Sequence, residues 1–214
     1  MLAHVELQGT ICLDWEDIAI NKEEGISYIY LADIGDNFYL RCFFSCSELS
    51  KSFFVRPSLT IYKFKEPSVS QDWNGHYIMI GSQDIEHIQV KYPDDAHDCE
   101  ALAVDPLNGD ILLFTKNHQH NESRVYTVPH GWDNPRILEY VTTLPLMLVT
   151  GADISPSGDT LALTNYGEGW SWSKSDRLTS WVDFLRTGPS PCTLPLKTEM
   201  QREAIAVTER WSFF

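Results

Sequence analysis

Carboxylates recur in this chain at the head of short apolar runs. Asp14-Trp15-Glu16-Asp17 precedes Ile18-Ala19-Ile20, and Asp98-Cys99-Glu100 precedes Ala101-Leu102-Ala103-Val104. Asp153 sits in Gly151-Ala152-Asp153-Ile154, and Glu203 precedes Ala204-Ile205-Ala206-Val207. Asp33 and Asp36 bracket a glycine in Asp33-Ile34-Gly35-Asp36-Asn37. All-oxygen donor sets suit a hard divalent cation such as Ca2+. A cation relieves the repulsion between gathered carboxylates, polarises a substrate oxygen and orients water. The candidate metal ligands are Asp14, Glu16, Asp17, Asp33, Asp36, Asp98, Glu100, Asp153 and Glu203, and the general-base candidates are Glu100 and His97. The densest acidic loop, 93–100, holds four carboxylates and His97 in eight residues. Such charge runs are ordinarily solvated loops. Its place directly before an apolar strand favours a functional face. Residues 33–37 read equally well as an Asx-type turn with no metal. His118 and His120 lie in a polar turn, where a histidine pair is more often solvated than metal-bound.

The elements carrying these acids repeat. Each lead-in runs into an apolar strand, a glycine-containing turn and a second apolar strand. The acid-to-glycine gap is nine residues from Glu16 to Gly25 and nine again from Glu100 to Gly109. Gly109 to Gly158 is 49 residues, and Glu100 to Glu203 is 103, about two such units. A period of roughly 40–50 residues with several short strands per unit is the signature of propeller blades. Alternating stretches at 59–65, 77–80, 87–92, 124–128 and 137–144 supply further strands. Leu178, Trp181, Val182 and Leu185 fall at helical spacing and predict one short amphipathic surface helix. Glu203 to Val207 predicts a fourth start of the strand pattern. Residues 42–58 have no clear period and read as an insertion or an artefact. The expected architecture is all-β: a single domain over 1–214, a partial β-propeller of about four four-stranded antiparallel blades.

Composition narrows the function. The 214 residues are 43% hydrophobic and 21% charged, which is globular. The net charge of -14 argues against nucleic-acid binding, which needs a basic footprint. Five irregularly spaced cysteines, Cys12, Cys42, Cys46, Cys99 and Cys192, do not define a disulfide framework and read as free thiols. Cys42 and Cys46 lack a second pair at zinc spacing. No run is long enough to span a membrane. Met1 to Leu13 lacks the basic and apolar regions of a secretion signal. The compartment stays open, with an extracellular one compatible with a longer N-terminus.

The lead-ins at 14–19 and 32–37, the strand Ile61-Tyr62-Lys63-Phe64-Lys65-Glu66-Pro67, and the stretches at 92–102, 149–156 and 203–206 occur together and in order. Through them the chain resembles a bacterial-type family of predicted β-propeller proteins, with distant likeness to six-bladed phytase-like and esterase-like propellers. The resemblance covers most of 14–207. It implies the propeller fold more firmly than any activity. Residues 42–58 have no counterpart in that pattern. A six-bladed ring takes roughly 240–300 residues, so the chain reads as a truncated member. Two functions remain open. One is a calcium-assisted hydrolase of phosphate or carboxylic esters, for which no Gly-x-Ser-x-Gly elbow and no basic phosphate clamp is present; Lys116 and Arg202 are the cations beside the repeats. The other is a non-catalytic platform for a protein or glycan, with the acids bonding backbone N–H groups and Trp15, Trp73, Trp132, Trp170 and Trp172 supplying surface or core. Convergence of the acids on one cavity separates the two.

Overall fold

The computed structural model describes residues 3–36, 59–68, 75–118, 120–129, 135–196 and 201–208. The irregular stretch 42–58 and two of the tryptophans, Trp73 and Trp132, fall outside them.

The repeated hairpins form where the turn chemistry predicts. Strand β2 (Trp15–Glu23) pairs antiparallel with β3 (Ile26–Asp33), with Glu23 opposite Ile26. Two residues close that turn, Glu24 and Gly25, and both have positive φ, 50° and 85°. Only a turn of that hand matches the twist of the flanking strands. β7 (Cys99–Val104) and β8 (Ile111–Thr115) are joined through Gly109 at φ 79°. β12 (Gly151–Ile154) and β13 (Thr160–Thr164) are joined through Gly158 at φ 75°.

Further strands extend each hairpin into a sheet. β4 (Leu59–Lys65) and β6 (Ile85–Lys91) complete the first, in the order β2-β3-β4-β6. β9 (Ser123–Val128) and β11 (Glu139–Leu144) complete the second, β7-β8-β9-β11. β14 (Gly169–Ser173) and β15 (Cys192–Thr193) complete the third, β12-β13-β14-β15. The chain is all-β, with neighbouring strands in these three sheets antiparallel. Two details depart from uniform four-stranded units. β10 (Arg136–Ile137) leaves the second sheet's run and adds in parallel to β6. β1 (Ala3–Leu7) and β5 (His76–Ile80) form a separate parallel pair.

The first strand of each sheet is an edge strand, and β7 lies against both β2 and β12. The second sheet is therefore covered on both faces. Leu102, Val104, Ile111, Leu113 and Tyr126 join a core with Ala32, Ile61, Ile88 and Val90 of the first sheet. Ala101, Ala103, Leu112 and Phe114 join another with Leu161, Leu163, Trp170 and Trp172 of the third. The alternation of side chains along β8 feeds the two cores in turn. All six β7 residues are buried, as expected of a strand with no solvent face.

The helix starts three residues later than its periodicity predicts. α1 spans Trp181–Arg186, and the Ser180 side chain caps it by accepting the Asp183 N–H at 3.0 Å. Leu178 stays 96% exposed, while Trp181, Val182 and Leu185 enter the core of the third sheet. The fourth repeat start also differs: residues 201–208 have no strand pairing, yet they run beside β12, with the Arg202 carbonyl accepting from Thr150 Oγ1 at 2.7 Å. Cys12, Cys99 and Cys192 are free thiols.

Candidate functional site

Two β-bulges build the site. In the first hairpin the register shifts between Trp15 and Asp17, so that Glu16 is unpaired. In the second it shifts between Cys99 and Ala101, leaving Glu100 unpaired. A bulge re-aims the extra side chain out of the alternating pleat. The equal nine-residue gaps from Glu16 to Gly25 and from Glu100 to Gly109 span different hairpins: a two-residue turn follows Glu23 in the first, whereas the 105–110 connection follows Val104 in the second.

Both bulged glutamates join a cluster at the end of the sheets opposite the hairpin turns. Glu16 is hydrogen-bonded to Asp14, and the charges of Glu100, Asp14 and Asp98 all bear on it. Burial first, and then those like charges, push the Glu16 carboxyl up to about 8. Gly35 makes room for the pair: a Cβ there would run into Glu16 Oε1 and Asp14 Oδ2. Asp14 is placed by Asp33, whose Oδ1 accepts the Asp14 N–H at 2.7 Å, and the Asp14 carbonyl accepts from Ile34 and Gly35 N–H.

Asp98 is fully buried. Its Oδ1 accepts the Asp36 N–H at 2.9 Å, and its Oδ2 has no hydrogen-bond partner. His118 Nε2 stands 3.6 Å from that oxygen, beyond hydrogen-bond reach. Glu100 is paired with Lys116 at 2.8 Å, both side chains buried. Lys116 also lies 5.2 Å from the Tyr166 ring centroid. Burial lowers the affinity of Lys116 for its proton, but Glu100 and Tyr166 outweigh it and hold the ammonium above its usual range. Burial raises Glu100 against its hydrogen bond to Lys116, and raises Asp98 against the Asp36 N–H and, after it, the charge of Lys116. Among the described residues, no group of three or more His, Cys, Asp or Glu side chains is arranged to hold a metal ion as it stands. Glu16 closes on Asp14 instead.

The nine candidate ligands divide. Asp14, Glu16, Asp98 and Glu100 come together, and Asp36 joins through its backbone N–H. Asp17, Asp33 and Asp153 bond the backbone. Asp17 Oδ2 accepts the N–H groups of Leu102 at 2.9 Å and Ala152 at 3.3 Å, while Oδ1 accepts from Ile18. One carboxylate on β2 thus ties β7 and β12 together. Burial pushes Asp17 up to about 7 against the pull of those donors. Asp153 Oδ2 accepts the Val207 N–H at 2.7 Å, and burial pushes it up to about 6. Glu203 is exposed.

The two general-base candidates have separate partners. His97 Nε2 lies 3.1 Å from Asp94 and 3.0 Å from the Tyr126 hydroxyl, with its ring edge-on to Tyr92. Arg124 pairs with the same Asp94 at 3.0 Å. Burial lowers the His97 pKa against the attraction of Asp94. Tyr126 and Arg124 carried no signal in the sequence, because both sit in an ordinary alternating strand. His120 is exposed, and its N–H bonds Asn117 Oδ1.

No protein-family model matches this chain, and no curated protein matches it. No described helix is long and apolar enough to cross a membrane.

Proposed function

We propose that the three larger sheets are successive blades of a β-propeller and that the carboxylates at their open end bind calcium. The propeller reading is supported by the edge strands β2, β7 and β12 lying side by side, by Asp17 linking all three, and by residues 202–207 running beside β12. Propellers repeat small sheets around an axis in this manner.

The observation that carries the calcium reading is the buried Asp98 Oδ2, which accepts no hydrogen bond and has His118 Nε2 at 3.6 Å, within a cluster of Asp14, Glu16 and Glu100. The donors are all oxygen, as calcium prefers. Asp14, Glu16 and Asp98 would hold the cation after Glu16 gives up its proton. A bound calcium ion would supply Lewis-acid polarisation of a phosphate or carboxylic ester. Glu100, anchored by Lys116, is the general-base candidate for the attacking water, and Lys116 keeps a positive charge beside the developing anion. His97 belongs to its own network with Asp94 and Tyr126. The platform reading survives in Asp17, Asp33 and Asp153, whose carboxylates are occupied by backbone N–H groups.

The test is thermal unfolding of the purified chain with EDTA and with millimolar calcium. A ligand bound only by the native state raises the midpoint by mass action. Asp98→Asn and Gly35→Ala are expected to fold and to lose most of the calcium shift. A midpoint indifferent to calcium in the unaltered protein removes the metal reading. A calcium shift with no turnover across a phosphate- and carboxylic-ester panel removes the hydrolase and leaves a structural cation.

A further inference from the structure

The first sheet carries, on the face turned away from the second sheet, the same apolar surface that the second sheet buries. The bulges at Glu16 and Glu100 align Ile18 with Leu102 and Ile20 with Val104. Cross-strand register extends the match. Ile18 lies opposite Leu31 and Leu31 opposite Tyr62, as Leu102 lies opposite Leu113 and Leu113 opposite Tyr126. Ile20, Ile29 and Phe64 form a second row, matched by Val104, Ile111 and Val128. In the second sheet all six residues are buried in the core shared with the first. In the first sheet Ile18 is 59% and Ile20 54% exposed, against 0% for Leu102 and 3% for Val104. Ala19, between them, points the other way and is buried in the shared core. A contiguous exposed apolar surface marks an interaction site.

The β4 side of this face already has a cover. The Tyr62 hydroxyl donates to the Ile11 carbonyl at 3.1 Å and accepts the Ile11 N–H at 3.2 Å, and Tyr62 and Phe64 are buried. The β2 side is the open one, and β2, β7 and β12 are the strands through which successive sheets meet.

The other side of the stack carries the counterpart. Glu203-Ala204-Ile205-Ala206-Val207 repeats Glu100-Ala101-Leu102-Ala103-Val104 almost residue for residue. Asp153 Oδ2 holds the Val207 N–H beside β12, as Asp17 Oδ2 holds the Leu102 N–H beside β2. Ala101 and Ala103 are buried in the core shared with the third sheet. Ala204 and Ala206 are exposed, while Ile205 and Val207 are half-buried. At the joint between the first two sheets, Ala19 shares a core with Leu102 and Val104. Ala206 stands three residues after Glu203, as Ala19 stands three after Glu16.

We propose that the chain assembles head to tail with a second copy of itself, the Ile18 and Ile20 face of one copy seating on Ala204 and Ala206 of the other. The internal joint selects the occupant: the surface that covers Leu102 and Val104 in this fold belongs to a unit of the same repeat, and the 203–207 strand presents that surface again. The contact joins two different patches, so it adds copies in sequence until a ring closes or the series ends.

The experiment is sedimentation velocity on the whole chain up to several hundred micromolar, in EDTA so that the outcome is independent of the calcium reading. The native protein is expected to rise above its monomer mass of 24.5 kDa as concentration rises. Ile18→Lys and Ala206→Arg alter exposed side chains and are expected to keep the native unfolding midpoint. Each is expected to remain monomeric alone, and Ile20→Lys should reproduce the first. An equimolar mixture of Ile18→Lys and Ala206→Arg retains one intact patch of each kind, and is expected to form a one-to-one pair and nothing larger. A native chain that stays monomeric overturns the proposal. So does either variant associating by itself as the native chain does, or a mixture that stays monomeric.

Discussion

Asp17 is the place to test whether the edge strands are held together by side-chain chemistry. Its carboxylate accepts N–H groups from β7 and β12, and Asp17→Ala strips the partner from both. Those N–H groups are buried, so water cannot replace the lost acceptor. An unmet buried donor costs roughly 1–3 kcal/mol, which gives about 2–6 kcal/mol for the pair. The third donor, Ile18 N–H, belongs to an exposed residue and can turn to water. The loss depends on pH. Asp17 titrates near 7 in the folded chain and near 3.8 in the unfolded one. Between those values the folded state binds an extra proton, so the contribution is full below about 3.8 and fades as pH rises towards 7. From pH 5 to 8 the native protein loses roughly 3 kcal/mol through Asp17 alone, at about 1.4 kcal/mol per pH unit over the two units below 7. The alanine variant loses none of that. Urea unfolding at pH 5 and pH 8 reads both quantities. The expected gap between native and variant is about 2–6 kcal/mol at pH 5, narrowing by about 3 at pH 8. A gap under about 1 kcal/mol at pH 5, or one equal at both pH values, refutes the account.

The native protein should itself lose stability as pH rises from 5 to 8, because Glu16, Asp17 and Asp153 titrate near 8, 7 and 6, all above their ordinary values. Asp98, Glu100 and Asp105, also raised by burial, act in the same sense, and His97, lowered by burial, acts in the opposite one. Unfolding midpoints across that range check the sign, and millimolar calcium should flatten the slope by favouring the ionised cluster. Lys116→Met leaves Glu100 buried without its counter-ion and should cost roughly 3–5 kcal/mol at pH 7. Adding Glu100→Gln should recover much of that loss, and urea unfolding of the double variant showing no recovery would rule out the unpaired charge as its cause.

The acids that come together, Asp14, Glu16, Asp98 and Glu100, were legible as candidates because a repeated acid before an apolar run is a local pattern. The hairpins were legible for the same reason: positive φ at Gly25, Gly109 and Gly158 is a local demand that glycine meets. The roles of the individual acids were not legible. Asp17 and Glu16 are neighbours, yet one bonds backbone across two interfaces and the other faces a cluster of like charges. A one-residue bulge separates those fates. The contacts of Glu23 with Lys63 and Tyr30 left no motif, since the three residues lie on three different strands.

The sequence alone determined the all-β class, the glycine turns and the short helix, because each follows from alternation, helical spacing or backbone freedom within a few residues. Tertiary structure decided which carboxylates met each other and which met backbone N–H groups. It also decided that His97 and Glu100 would belong to different networks. These outcomes depend on how separate sheets are stacked and on how far each side chain is withdrawn from water, and neither is encoded in the spacing of residues along one strand.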